Sequence, residues 1–491
     1  MNQTQEIEIF STGMTTDLRK IIRVNRKILR PFQSLQHFDV YSDRLVPKRD
    51  WVLESGAVTN LISRWTYFDD GAGNYALWGL GLDGSNHVQL LHKPAGSFTG
   101  NWSTATVTTG TNVTNGNNWL FGYKGYLYFT STYNGSPALN RYNVSANILT
   151  ENWQSFSQAS TMPVIHPRTG AAYFFSGNNV YELDPTSTWV GIVQSLPSYM
   201  TITAANPQGN NLAVGAAPVN GYDNSFVYLW DLSVTSSPTS INFTESIDWG
   251  KGQLMHLAQI EGVLVGISNE QVDHDYGINK GRVVCRTYTS SVAQETNYLT
   301  ADALTSTPIA PTYLTDGTKL YFPASIPFKG DSRIGIWSVD KGGTFTIEAI
   351  GPVTEAGQHI TGLYRLGKAW FITFLDGNVY RTNDQASYTL PAIMETVVYG
   401  DRINSSQFVG ATVSFEALTS GSVTLKYKLP EDTAWQLMGT QSTVGQRQLQ
   451  VLGTASKMAP RFTEYQFRIE TTAVLTGFSW TTEPFDTNLY G

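Results

Sequence analysis

A chain of 491 residues is long enough for more than one domain and for a large buried core. Its formal charge of −7 excludes nucleic acid as the main partner, because phosphate binding draws on a basic surface. The single cysteine, Cys285, excludes an internal disulfide, and no apolar run reaches the ~18 residues that mark a membrane-spanning helix.

Aromatic residues make up 12% of the chain, charged residues 14%, and there are 44 glycines. Aromatic and threonine side chains suit pleated strands and glycine suits turns, so the composition predicts an all-β protein. The opening residues, MNQTQEIEIF, have neither a basic start nor an apolar stretch and do not read as a signal peptide. Synthesis in a reducing cytosol is therefore expected, with later release possible as part of a particle.

The stretch Thr15–Pro31 is unusual. Leu18, Ile21, Ile22, Ile28 and Leu29 fall on one helical face, while Arg19, Lys20, Arg23, Arg26, Lys27 and Arg30 lie elsewhere. Thr16 or Asp17 is placed to cap such a helix and Pro31 to end it. A basic amphipathic helix suits a membrane surface. The rival reading is an extended arm, since the stretch is also rich in β-branched residues. The segment Ser34–Trp51 reads as a strand followed by a proline-containing turn.

From about residue 51 a strand–tight turn–strand unit recurs. Its turn glycines are Gly125, Gly170, Gly209, Gly262, Gly317 and Gly367, 39 to 55 residues apart. A looser copy over Arg64–Leu80 brings the count to about seven. Each unit is followed by a second hairpin, as in ALNRYNVS (Ala138–Ser145), NVYELDP (Asn179–Pro185), FVYLWDL (Phe226–Leu232) and RIGIWSVD (Arg333–Asp340). Two hairpins in this length match a propeller blade. In the sixth unit Ser338, Asp340, Gly342, Thr344 and Phe345 fit Ser-x-Asp-x-Gly-x-Thr-aromatic. That pattern resembles the Asp box of sialidases and other β-propellers. Its roles are local: Asp accepts backbone N–H groups, Gly supplies a permissive φ, and the aromatic anchors the hairpin. It therefore marks a blade, not an active site. The Trp230–Asp231 pair, which resembles a WD dipeptide, is read as an aromatic core position.

Beyond about Met394 six alternating segments follow: Ala411–Leu418, Ser422–Pro430, Thr433–Thr440, Arg447–Gly453, Thr463–Thr471 and Leu475–Glu483. They suffice for a small β-sandwich. The expected organisation is an N-terminal arm and closing strand over 1–50, a propeller over 51–393 and a sandwich over 394–491. The N-terminal strand is expected to close the ring with the last blade.

The segments EIFSTGMTTDLR and HFDVYSDRLVPKRD resemble the start of propeller-type structural proteins of tailed bacteriophages. The resemblance covers about 50 N-terminal residues and the order of parts, and brings no catalytic residues with it. It implies a structural component of the virion, in the tail or neck, working as a symmetric homo-oligomer in contact with other virion proteins. On that reading the six basic residues of the arm touch an acidic neighbour; otherwise they form an ordinary charged surface.

No catalytic set, metal motif or cofactor fingerprint stands out. The Phe/Tyr-Arg-Ile-Pro signature of sialidases is absent, and a glycosidase carboxylate pair cannot be picked from 39 acidic residues. Asp273, His274 and Asp275 have a metal-ligating character without a metal-ligand spacing and read as a solvated loop. Asp69 and Asp70 precede glycines and read as a hairpin tip. A host-surface glycan is the alternative partner, because sugars stack on aromatic faces and Asn supplies donors and acceptors. The segments Asn115–Tyr123 and Ser131–Pro137 carry such residues.

Overall fold

The computed structural model describes residues 3–7, 22–24, 27–29, 32–36, 38–40, 44–47, 51–53, 65–69, 71–94, 102–113, 118–158, 160–219, 223–233, 242–271, 281–289, 292–301, 313–328, 331–350, 360–366, 369–374, 379–382, 391–400, 406–452 and 463–484. All regular structure among them is β. Two compact units emerge: one comprises Met1–Asp50, Thr344–Ile350 and Asp384–Gly491, the other Trp51–Gly343 and Gly351–Asn383.

The larger unit is a β-propeller. Five four-stranded sheets follow one another, and an 8-stranded sheet ahead of them is two such meanders joined at the single pair Thr111↔Thr132. That makes seven blades among the described residues. The third shows the plan: Ser160–Ile165, Ala172–Ser176, Asn179–Leu183 and Trp189–Ser195 in simple antiparallel order. The turn glycines behave as the repeat requires. Gly125, Gly170, Gly209, Gly262 and Gly317 all have φ between +57° and +85°, where a side chain is strained. Gly367 lies outside the described residues.

Apolar clusters sit between consecutive blades. Tyr173, Phe175, Val214 and Trp230 join the third blade to the fourth, and Val227, Trp249, Leu254 and Leu264 join the fourth to the fifth. The ring closes twice over. Trp65, Leu77 and Leu91 of the first blade pack with Phe371 and Val379 of the last. Trp51–Leu53 supplies the last blade's fourth strand, with Tyr380↔Leu53, Arg381↔Val52 and Thr382↔Trp51 in register. Hydrogen bonds tie neighbouring blades at their turns: Tyr123 OH to Gly170 O (2.6 Å), Arg168 to Asp231 O (2.8 Å), Glu261 N to Gly317 O (3.0 Å) and Arg365 to Asp316 Oδ2 (3.1 Å).

The other unit is a β-sandwich of two 6-stranded sheets. One runs Gln448–Leu452, Ser406–Phe415, Leu475–Pro484, Leu45–Pro47, Phe38–Val40, with Gln3–Ile7 also paired to Leu475–Pro484. The other runs Gln436–Gln441, Val423–Lys428, Glu464–Thr471, Ala392–Thr396, Phe32–Gln36, with Tyr399–Gly400 on Glu464–Thr471. Each of the six expected strands has its counterpart. Alternation is clean on Glu464–Thr471, where every second residue is buried. Phe467 and Trp480 lie 5.2 Å apart at the centre, and Trp480 Nε1 donates to Tyr465 OH at 2.9 Å. The N-terminal residues are more than an arm: four of their strands complete these sheets.

Candidate functional site

The described residues of the basic stretch are extended and not in the amphipathic helix that the spacing permits. Ile22–Val24 and Lys27–Leu29 pair as a two-stranded ribbon, with Ile22↔Leu29, Arg23↔Ile28 and Val24↔Lys27 in register. The β-branched residues prevail over the helical spacing. Among the described residues the ribbon pairs with no other strand. Arg23 and Lys27 fall within it; Arg19, Lys20, Arg26 and Arg30 lie outside the described residues. The ribbon sits between Gln3–Ile7, built into one sheet of the sandwich, and Phe32–Gln36, built into the other.

The opposite sides of the two sheets end on Gln436–Gln441 and Gln448–Leu452, each paired on one side only among the described residues. These edge strands lie against each other, since a Cβ on Gly439 would sit 2.9 Å from Val451 Cγ2. Neither strand contains a charged residue. Leu437 is 64% exposed and Leu452 78%. A cleft of about 510 Å3 opens at the start of the second, lined by Ser414, Glu416, Gln446, Arg447, Gln448 and Thr476. Glu416 is held 3.4 Å from Arg44. At the tip of the hairpin carrying Gln436–Gln441 stand the exposed Glu431 and the half-buried Asp432, whose Oδ2 accepts the Leu429 N–H at 2.9 Å.

The Asp-box-like turn is built as its chemistry predicts, with one change. Ser338 and Phe345 are fully buried. Asp340 Oδ1 accepts the Gly342 N–H at 2.9 Å, and Asp340 O accepts the Gly343 N–H at 3.0 Å. The left-handed residue is Gly343, at φ +77°, and not Gly342. A side chain at Gly343 would also strike Thr296. Thr344 is half-buried beside the turn. The same device ends the third strand of other blades. Asp184 Oδ1 accepts N–H groups of Thr186 and Thr188 at 2.8 Å, and Asp231 Oδ1 accepts that of Ser233 at 2.9 Å. Asn143 does the same for Ala146 at 3.0 Å. The Thr188 N–H, then the Thr186 hydroxyl, hold the Asp184 carboxyl below its usual range; for Asp231 the Ser233 hydroxyl leads. These carboxylates are occupied in holding turns.

Elsewhere in the propeller, polar groups brace blades. Glu270 Oε2 lies 2.7 Å from Arg282 and 3.6 Å from Arg286, and Arg286 donates to Lys251 O at 3.1 Å. Burial lowers the Arg286 pKa, and Glu270 and Glu295 oppose the shift. His256 is fully buried between Tyr313 and Phe322, and burial pushes its pKa to about 3, so it is neutral at ordinary pH. Asp316 and Arg365 flank a cleft of about 330 Å3 with Tyr321. Burial pushes the Asp316 carboxyl up, but bonds from the Thr318 hydroxyl, Tyr321 OH and the Lys319 N–H bring it to about 2. Among the described residues no three His, Cys, Asp or Glu side chains group so as to hold a metal. Asp273, His274, Asp275 and Asp70 lie outside the described residues; Asp69 Oδ1 accepts the Gly71 N–H at 2.6 Å, as a hairpin tip should.

The aromatics expected to offer a sugar platform are mostly core. Trp119, Phe121 and Tyr123 are buried with Tyr128 and Phe174, and Tyr133 is half-buried. The aromatic pair that faces solvent is Tyr67 and Tyr75, stacked with ring centres 5.0 Å apart and planes at 10°. Sequence reasoning passed over it because the two residues meet only diagonally across paired strands, with Tyr67 opposite Leu77 and Asp69 opposite Tyr75.

No family model matches the chain, and no curated protein matches it. Among solved structures, the exo-β-1,3-galactanase of Phanerochaete chrysosporium shares 11% identity at a TM-score of 0.31, over 88% of this chain and 100% of that one. A chain of the mitotic checkpoint complex shares 12% at 0.41, over 70% and 98%. BamB from Moraxella catarrhalis shares 13% at 0.38, over 79% and 99%. Likenesses this distant do not bear on what the chain does.

Proposed function

We propose that the chain is a structural component of a tailed-bacteriophage virion, acting through protein–protein contacts, with the basic N-terminal arm as a contact element. The observation that carries this reading is the ribbon of Ile22–Val24 and Lys27–Leu29, which pairs only with itself among the described residues. An isolated two-stranded ribbon is at best marginally stable in water, so it needs a partner surface. Six cations in residues 19–30 make an acidic neighbour the natural partner. The resemblance of the N-terminal segments to phage propeller proteins supports the same reading. The test is quantitative mass spectrometry of purified particles. A fixed small copy number per virion is expected; absence from the particle would sink the proposal.

A glycan-binding tail protein is the second reading, favoured by the exposed Tyr67–Tyr75 stack beside Asp69. An aromatic face binds the apolar face of a sugar ring while the carboxylate accepts from hydroxyls. Saturable binding to a host-surface glycan, lost in Tyr67→Ala/Tyr75→Ala, is its expected signature.

A further inference from the structure

The sandwich carries two incomplete features on opposite sides. The ribbon leaves from between Gln3–Ile7 and Phe32–Gln36, which both lie on one side of the two sheet orders. The edge strands Gln436–Gln441 and Gln448–Leu452 lie on the other. Natural sheet edges are protected by charges, prolines, bulges or a covering element. Gln448–Leu452 has none of the first three. It is uncharged, and its ladder to Ser406–Phe415 runs from Gln448↔Ser414 to Leu452↔Gly410 without a shift. In the propeller, by contrast, the outer-strand ladders of the first five blades all contain register shifts.

We infer that the ribbon of one copy adds to the Gln448–Leu452 edge of a second copy, joining the sandwiches head to tail. This rests on the contact-arm reading and names its partner. Charge complementarity points to another copy of this chain. Residues 19–30 hold six cations and no acid, so without them the formal charge of −7 becomes −13. Glu431 and Asp432 stand on the receiving side, at the tip of the neighbouring edge hairpin. Strand addition satisfies the open backbone groups of the edge and gives the ribbon the additional strands it lacks. Leu452 is covered in the same step. Because donor and acceptor surfaces differ, the contact is heterologous. It closes into a ring if the rotation per copy permits, and otherwise grows as a filament.

The experiment is sedimentation velocity on the full-length chain and two variants, each checked for unchanged far-ultraviolet dichroism and thermal midpoint. One reverses the arm (Arg23→Glu/Lys27→Glu); the other charges the edge (Gln450→Lys/Leu452→Lys). Wild type is expected as one discrete oligomer or as a concentration-dependent series. Each variant alone should be monomeric. Mixed one to one, they should form dimers and nothing larger, since only one intact contact remains. A monomeric wild type, variants that assemble like wild type, or a mixture that stays monomeric would each overturn the inference. The copy number in purified particles is read separately, so a monomer present in the virion refutes this contact alone, and an oligomer absent from the virion refutes the structural role alone.

Discussion

In the propeller, the first and last blades meet through Trp65, Phe371 and Val379, and the last sheet takes its fourth strand from Trp51–Leu53, far away in sequence. In the sandwich, chain from both ends also combines, and among the described residues Gln436–Gln441 and Gln448–Leu452 are each paired on one side only. The outer-strand ladders of the first five blades are bulged, which twists an edge away from further pairing. The sandwich edge Gln448–Leu452 is unbulged and uncharged. The contrast lies in how the edges are built, bulged in the first five blades and unshifted along Gln448–Leu452, and substitutions in the two units should behave differently.

The largest effect is expected in the propeller core. Trp230 is fully buried between two blades, so Trp230→Ala should cost about 3–5 kcal/mol, measured by denaturant unfolding. A midpoint unchanged from wild type would refute the inter-blade account of the core. Closure comes next. Val52→Pro removes a backbone donor from the strand that completes the last blade, at an expected cost of about 1–3 kcal/mol. If the ring does not depend on Trp51–Leu53, stability will not change. Smaller still is Gly343→Ala, which forces a side chain into left-handed backbone at about 1–2 kcal/mol. Gly342→Ala should cost well below that, and equal costs would contradict the assignment of the special residue to Gly343.

The pH response of Asp316 is next. Its folded pKa of about 2 lies below the ordinary carboxylate value, so its contribution is fully present above about pH 4 and lost as pH falls through 2. Because its side chain is 37% exposed, solvent screening leaves roughly 1 kcal/mol. Asp316→Asn should flatten that acid limb in a stability–pH profile. The smallest effect is at the open edge. Leu452→Lys is expected to change folding stability by less than about 0.5 kcal/mol, while abolishing assembly. A large loss of stability would mean that the side chain belongs to the sandwich core after all.

Much of the architecture was legible because it is written in local chemistry. The turn glycines at 125, 170, 209, 262 and 317 mark hairpins, since only left-handed backbone closes them tightly. Asp340 and its relatives Asp184 and Asp231 end strands through bonds made to backbone two or four residues on. The candidate site was less legible. The arm's helical spacing and its β-branched content pointed in opposite directions, and local preference did not choose between them. The aromatics of Asn115–Tyr123 looked available for a ligand, but burial is decided by the neighbouring blade.

The sequence by itself determined the β class, the blade-sized repeat, the turn positions and the alternating strands of the C-terminal sandwich, because strand alternation and turn conformation depend on near neighbours in the chain. Only the tertiary structure decided which strand closes the ring, that residues before 50 complete both sheets of the sandwich, and which strands end those sheets among the described residues. Those outcomes depend on pairing between residues hundreds of positions apart, where loop-closure entropy and the packing of whole sheets select among many locally equivalent strands.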